Sequence, residues 1–136
     1  MPRVFTGKVS IPGEKIEEYL RALAEAEKRR EPFRRYLEGL NEEFASFLAA
    51  NYAKRTVDKH TWTVGMFIEF ICRQTDVEAI GEITRGIVNT HFRQWYRRKV
   101  LDSATPDDLR VALKKFFQFL EKEKAISAPK ALESLQ

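Results

Sequence analysis

Apolar side chains recur every three to four residues along most of this chain, and no stretch beyond a few residues alternates with period two. That pattern commits the fold class to all-α, with helices that each bury one stripe against their neighbours. Ile16, Tyr19, Leu20 and Leu23 predict a first helix over residues 14–30. Pro32 has no N–H and crowds the preceding turn, so a break is expected there. A second helix is expected over 32–52, with Phe33, Tyr36, Leu37, Leu40, Phe44, Phe47 and Leu48 on one face and a weak point at Gly39-Leu40-Asn41. The third, over 56–74, takes Thr56 as N-cap and sets Trp62, Met66 and Phe70 in the core stripe beside Phe67 and Ile71. Gly65 inside it is costly for a helix, which implies close approach of another helix.

The fourth helix starts after Thr84, carries Val88, Phe92 and Tyr96 at i, i+4, i+8 beside Ile87 and Trp95, and ends near Val100. Asp102-Ser103-Ala104 reads as a turn. Thr105 then caps a fifth helix, with Pro106 at its first position, Asp107 and Asp108 in its first turn, and Leu109, Leu113, Phe116, Phe117 and Leu120 on its apolar face. Val4 to Ile11 is the exception, a short strand or extended arm closed by Pro12-Gly13. Beyond Ile126 the tail has little to hold it.

A length of 136 residues, 43% of them hydrophobic and ten of them Phe, supports one domain with a helical extension and a sizeable core. No apolar run has the length of a membrane span or the character of a signal peptide, and the cytoplasm is the default compartment. The single cysteine, Cys72, lies in an apolar stripe and is read as a small core residue. His60 and His91 fall on different helices with no further ligands beside them, so no metal site is expected. The pairs Glu17-Glu18, Glu42-Glu43 and Asp107-Asp108 diverge by about 100° around a helix, which does not suit acid–base dyads. With no glycine-rich phosphate loop either, the residues point to no catalytic centre, no cofactor and no small-molecule substrate.

The net charge of +4 is unevenly placed: residues 1–53 sum to 0, residues 54–83 to −1, and residues 84–136 to +5. A basic end on an otherwise neutral chain suits a polyanion. Basic groups gather at helix starts: Lys54, Arg55 and Thr56, then Lys59 and His60, the last set on a side away from Trp62 and Met66. Ser103 and Thr105 stand where hydroxyls and backbone N–H groups can donate to a phosphate, and Arg110 and Lys114 share a face at i, i+4. Arg93, Arg97, Arg98 and Lys99 add charge on the fourth helix. The same residues also fit an ordinary solvated exterior.

Two phrases carry a resemblance: EFASFLAANYAKRTVDKHTWTVGMFIEFI over residues 43–71 and SATPDDLRVALKKFFQFLEKEKAIS over 103–127. Residues 44–127 resemble the N-terminal core-binding domain of tyrosine recombinases, the SAM-like helical domain of phage integrases and Xer-type proteins. The resemblance implies a SAM-like orthogonal bundle of four to five helices with an additional N-terminal helix. The corresponding division is an N-terminal arm and extra helix over 1–40, the core-binding domain over 41–127 and a flexible tail over 128–136. It also implies half of a clamp around duplex DNA. Arg55, Thr56, Lys59 and His60, with Lys54 just before them, match the start of the family's first DNA-facing helix. Ser103, Thr105, Arg110 and Lys114 match the start of its last, with Arg110 and His60 as candidates for base readout. Asp107 and Asp108 place negative charge where that phosphate would approach.

The family's catalytic set lies beyond this domain, and the chain stops nine residues after Ser127. The expectation is therefore a DNA-binding module with no cutting chemistry, with a recombinase catalytic domain or self-association as further partners. The alternative expectation is a helical protein-interaction domain that keeps the fold without the DNA role and exposes a patch around Phe33, Tyr36 or Phe119.

Overall fold

The computed structural model of the chain describes residues 3–5, 10–100 and 104–135. Among them the architecture is all-α, with five α-helices and no strand: α1 (Ile16–Ala49), α2 (Lys54–Gln74), α3 (Phe92–Lys99), α4 (Pro106–Lys124) and α5 (Pro129–Ser134). A π-turn over Ile87–His91 runs directly into α3.

The break expected at Pro32 does not occur. One helix of 34 residues runs through both Pro32 and Gly39-Leu40-Asn41. Proline removes one hydrogen bond, to the carbonyl four residues earlier. Both Lys28 and Pro32 are exposed, so that carbonyl lies on the solvent side of the helix. The flanking turns are held from the other side. The Arg30 guanidinium donates to the carbonyls of Ile71, Cys72 and Val77 at 3.1, 3.1 and 2.6 Å. Arg34 pairs with Glu69 at 2.8 Å.

α1 and α2 form an antiparallel hairpin whose register those contacts mark. Arg30 meets Cys72, Arg34 meets Glu69, and the Asn41 amide donates to the Thr61 carbonyl at 3.1 Å. Gly65 faces this seam, but a Cβ there would stand 3.9 Å from the Asn41 amide nitrogen, an ordinary van der Waals contact, so the packing does not require the glycine. Leu37, Leu40, Phe44 and Leu48 of α1 are buried. From Ile16 to Arg29 every residue but the half-buried Ala26 is exposed, because α2 ends at Gln74 and reaches only the last turns of this segment.

The core is tied together by aromatic rings. Phe44 of α1 meets Phe116 and Phe119 of α4 at centroid distances of 5.3 and 5.5 Å. Phe67 of α2 meets Phe117 of α4 at 6.0 Å and Phe92 of α3 at 5.1 Å. Val88, Phe92, Tyr96, Ile87 and Trp95 are all buried, as their spacing predicts, and the Thr84 hydroxyl accepts the Ile87 N–H at 3.3 Å. Of the stripe expected on the third helix, Phe67, Phe70 and Ile71 are buried and Met66 packs half-buried against the core, while Trp62 is 55% exposed. The buried seam of α2 runs Val57, His60, Val64, Phe67, Ile71, so His60 lies inward at the N-terminal end where Trp62 was expected.

The two ends of the chain are engaged as well. Val4 forms a single antiparallel bridge with Thr75, and the Phe5 N–H donates to the Gln74 carbonyl at 2.7 Å. Residues 6–9 of the expected strand or arm lie outside the described residues. The segment expected as a flexible tail instead forms α5. Ala128, Ala131 and Leu135 are buried. The Asn89 amide donates to the Ser134 carbonyl, and Arg110 to that of Leu135, both at 3.3 Å. The reason is an apolar spacing of three to four residues, short but sufficient to close over α4. Leu135→Ala should lower unfolding stability by about 2–4 kcal/mol in a denaturant titration, the usual loss for a buried leucine. An unchanged midpoint would return the segment to a loose tail.

Candidate nucleic-acid interface

The two helix starts singled out in the sequence differ in chemistry. α2 begins after Ala53, which has extended backbone and no side-chain cap, and its first turn holds no acidic residue. Thr56 is therefore a first-turn residue rather than the cap, and its N–H donates to the Ala53 carbonyl at 3.0 Å. The first N–H groups of such a helix have no intrahelical partner and carry the positive end of the peptide dipoles. Lys54 and Arg55 stand exposed beside them. Lys54 reaches Asp58 at 3.7 Å across an exposed i, i+4 pair, whereas Arg55 has no partner among the described residues.

α4 starts closed. The Thr105 hydroxyl accepts the Asp108 N–H at 3.1 Å, and the Asp108 carboxylate accepts the Thr105 N–H at 2.9 Å. The groups proposed to grip a phosphate are thus used within the cap, and Asp107 adds charge of the wrong sign. The Thr105 N–H, followed by Lys59 at 3.3 Å, holds the Asp108 carboxyl below its ordinary range. Ser103 lies outside the described residues.

The remaining candidates separate. Lys59 is exposed and bridges α2 to the α4 start through Asp108. His60 is 7% exposed, not on the outer side with Arg55 and Lys59, and its Nδ1 has no hydrogen-bond partner among the described residues. It belongs to the core seam and has no route to a base edge. Arg110 is half-buried, pairs with Asp107 at 3.6 Å and bonds to the end of α5. Lys114 shares that side of α4, about 200–240° around the helix from Asp108, so these two do not join Lys59. Lys115 instead reaches the connection between α1 and α2, where it donates to the Tyr52 hydroxyl at 2.9 Å and lies over that ring. The alternative patch is dispersed: Tyr36 is exposed, Phe33 half-buried and Phe119 buried.

A different set converges instead. Arg55, Lys59 and Trp62 lie at i, i+4, i+7 on the outer stripe of α2. The Trp62 indole N–H donates to the Tyr96 hydroxyl at 3.3 Å, which brings α3 alongside. Arg93 and Arg97 of α3 line a shallow pocket of about 180 Å³ with Tyr96, Pro106 and Leu109. Neither arginine has a partner among the described residues. The face therefore carries four cations, one exposed indole and the Asp108 carboxylate. Sequence reading noted Arg93 and Arg97 but gave them no site, and it placed Trp62 in the core. The basic i, i+4, i+7 spacing was the available signal.

No family model, characterised protein or solved structure matches this chain. Among the described residues no helix is long and apolar enough to cross a membrane.

The buried His60 supplies a pH test of the seam beneath this face. Burial, then Lys115 and Lys59, lower its pKa, with Asp108 opposing them. The folded state therefore favours the neutral imidazole. Stability should be fully present above about pH 6.5, the ordinary histidine value, and should fall as pH drops below it, because the unfolded chain takes up the proton first. His60→Gln should flatten the dependence of the unfolding midpoint between about pH 7.5 and 5.5. A slope identical to wild type would remove His60 as its source.

Proposed function

We propose that this chain is a duplex-DNA-binding module that holds the phosphate backbone against the face formed by the start of α2 and the outer side of α3. The observation that carries the reading is the Trp62–Tyr96 contact, which sets unpaired Arg93 and Arg97 of α3 alongside the outer stripe of α2 that runs back through Lys59 and unpaired Arg55 to an uncapped helix start. Guanidinium groups suit phosphate oxygens because their planar forks donate two hydrogen bonds at once. Helix N–H groups add a fixed positive end. A large ring with a polar edge, set among cations, suits the sugar edges between phosphates. In the recombinase core-binding domains that residues 44–127 resemble, the first DNA-facing helix is the counterpart of α2, and a SAM-like arrangement of this bundle belongs to the same proposal. Lys54, Arg55 and Lys59 keep their proposed roles. His60, Thr105, Arg110 and Lys114 do not contribute to this face. The proposal involves no bond making or breaking; these side chains hold and orient.

Fluorescence anisotropy with a generic duplex tests it. Three arginines on three phosphates give a slope of about −2.7 in log affinity against log salt, or roughly 40-fold weaker binding between 50 and 200 mM. Arg55→Ala, Arg93→Ala and Arg97→Ala should each reduce that slope by about 0.9, while Arg35→Ala, on α1, should leave it unchanged. No binding at low salt, or slopes indifferent to all three arginines, would sink the proposal.

A further inference from the structure

We infer that Trp62 is a stacking platform for one unpaired base, so that this face prefers a duplex with an extrahelical nucleotide to a fully paired one. The inference rests on the proposed DNA binding and names the class of DNA. It starts from a contrast between the two tryptophans. Trp95 is 8% exposed and packs on Phe70 at a centroid distance of 5.5 Å, whereas Trp62 is 55% exposed. The Trp62 ring is nevertheless held in place. Its one donor, the indole N–H, is used on the Tyr96 hydroxyl at 3.3 Å. No other ring stacks on it among the described residues. A tethered indole therefore presents its apolar body to solvent, and little side-chain freedom is left to lose when a ligand covers it.

The surroundings identify the occupant. Arg55 and Lys59 precede Trp62 on the same stripe of α2, and Arg93 and Arg97 stand beside Tyr96 on α3. The carboxylates near these helix starts, Asp58 and Asp108, are each paired with a lysine, Lys54 at 3.7 Å and Lys59 at 3.3 Å. An apolar ring among cations suits a ligand that carries flat π-faces on an anionic chain, which is a nucleotide strand. Against a paired duplex the ring meets only the backbone, because stacked bases cover one another. An unpaired nucleotide leaves the stack at the least cost and offers a free face. Seven residues of helix set Arg55 about 10 Å from Trp62, or about three nucleotide rises of one strand. Arg55 thus holds paired backbone while Trp62 receives the base that leaves it. Beyond Tyr96 the pocket of about 180 Å³ extends the apolar surface through Pro106 and Leu109, with Arg93 and Arg97 in its wall for the adjoining phosphate.

Fluorescence anisotropy tests the inference by comparing a blunt duplex with the same duplex carrying a single-base bulge. The bulged duplex should bind at least about fivefold more tightly, the lower end of what one base–ring stack gives. Trp62→Ala should bring the ratio of the two affinities to about one. Trp62→Phe, which keeps a ring but loses the bond to Tyr96, should retain a ratio above it. Arg55→Ala should weaken both duplexes and leave the ratio in place. Should the alanine variant lose its helical circular dichroism, tryptophan emission of the wild-type chain decides, since Trp95 is buried. Stronger quenching by the bulged duplex is then expected, and equal quenching by both overturns the inference. A wild-type ratio of one, with salt-dependent binding of both duplexes, overturns it and leaves the proposed DNA binding standing. Binding of neither duplex removes both. A ratio that survives Trp62→Ala also overturns it, because the preference then belongs to flexible DNA rather than to the ring.

Discussion

The arrangement of this molecule depends on one guanidinium. α2 ends at Gln74 and passes into extended backbone at Thr75, so its last carbonyls have no helical donor. Arg30 supplies one, reaching the carbonyls of Ile71, Cys72 and Val77 from the side of α1. The Thr75 hydroxyl donates to the Ile71 carbonyl at 2.7 Å and accepts the Val77 N–H at 3.2 Å, completing the cap. A cation at a helix C-terminus also meets the negative end of the peptide dipoles. Because the donor sits on α1, capping α2 and setting the antiparallel register are one event. Once Arg30 is placed, Arg34 falls beside Glu69 and Asn41 beside Thr61, and Leu37 to Leu48 descend into the core.

That register decides which side of α2 faces outward. With Val57, His60, Val64, Phe67 and Ile71 turned inward, Arg55, Lys59 and Trp62 are left on the opposite side. The aromatic chain from Phe44 through Phe116 and Phe117 to Phe67 and Phe92 then seats α3 so that Tyr96 meets the Trp62 indole. The basic face is therefore a by-product of how the core is filled. Its cations come from helices that are brought together by rings on their other sides.

Patterns confined to one helix were legible. The Thr105 cap with Pro106 and Asp108, and the Val88, Phe92, Tyr96 stripe, need only local backbone geometry, and both are present as read. Outcomes decided by partners distant in sequence were not. Whether a helix passes Pro32 depends on Arg30 meeting carbonyls 41 to 47 residues away, and no local pattern holds that information. Trp62 and His60 exchanged their expected places for a related reason. Indole looks like core and imidazole like surface when ranked by residue type, yet the phase of the stripe is set by Val57, Val64, Phe67 and Ile71 together. α5 was missed because six residues give too little periodicity to register until α4 and the π-turn stand beneath them. At the candidate site, basic helix starts pointed equally to α2, whose start is open, and to α4, whose start is closed by its own cap. A capping box that makes a good helix start also consumes the N–H groups a phosphate would need.

The same hairpin register sets the basic face around the start of α2, at the far end of a 21-residue helix, about 30 Å, from the carbonyls that Arg30 caps. One unbroken α1 serves both ends: Arg30 holds the last turn of α2, and Phe44 meets the rings of α4 near its first. A break at Pro32 would have decoupled the register from the packing that turns Arg55 and Lys59 outward.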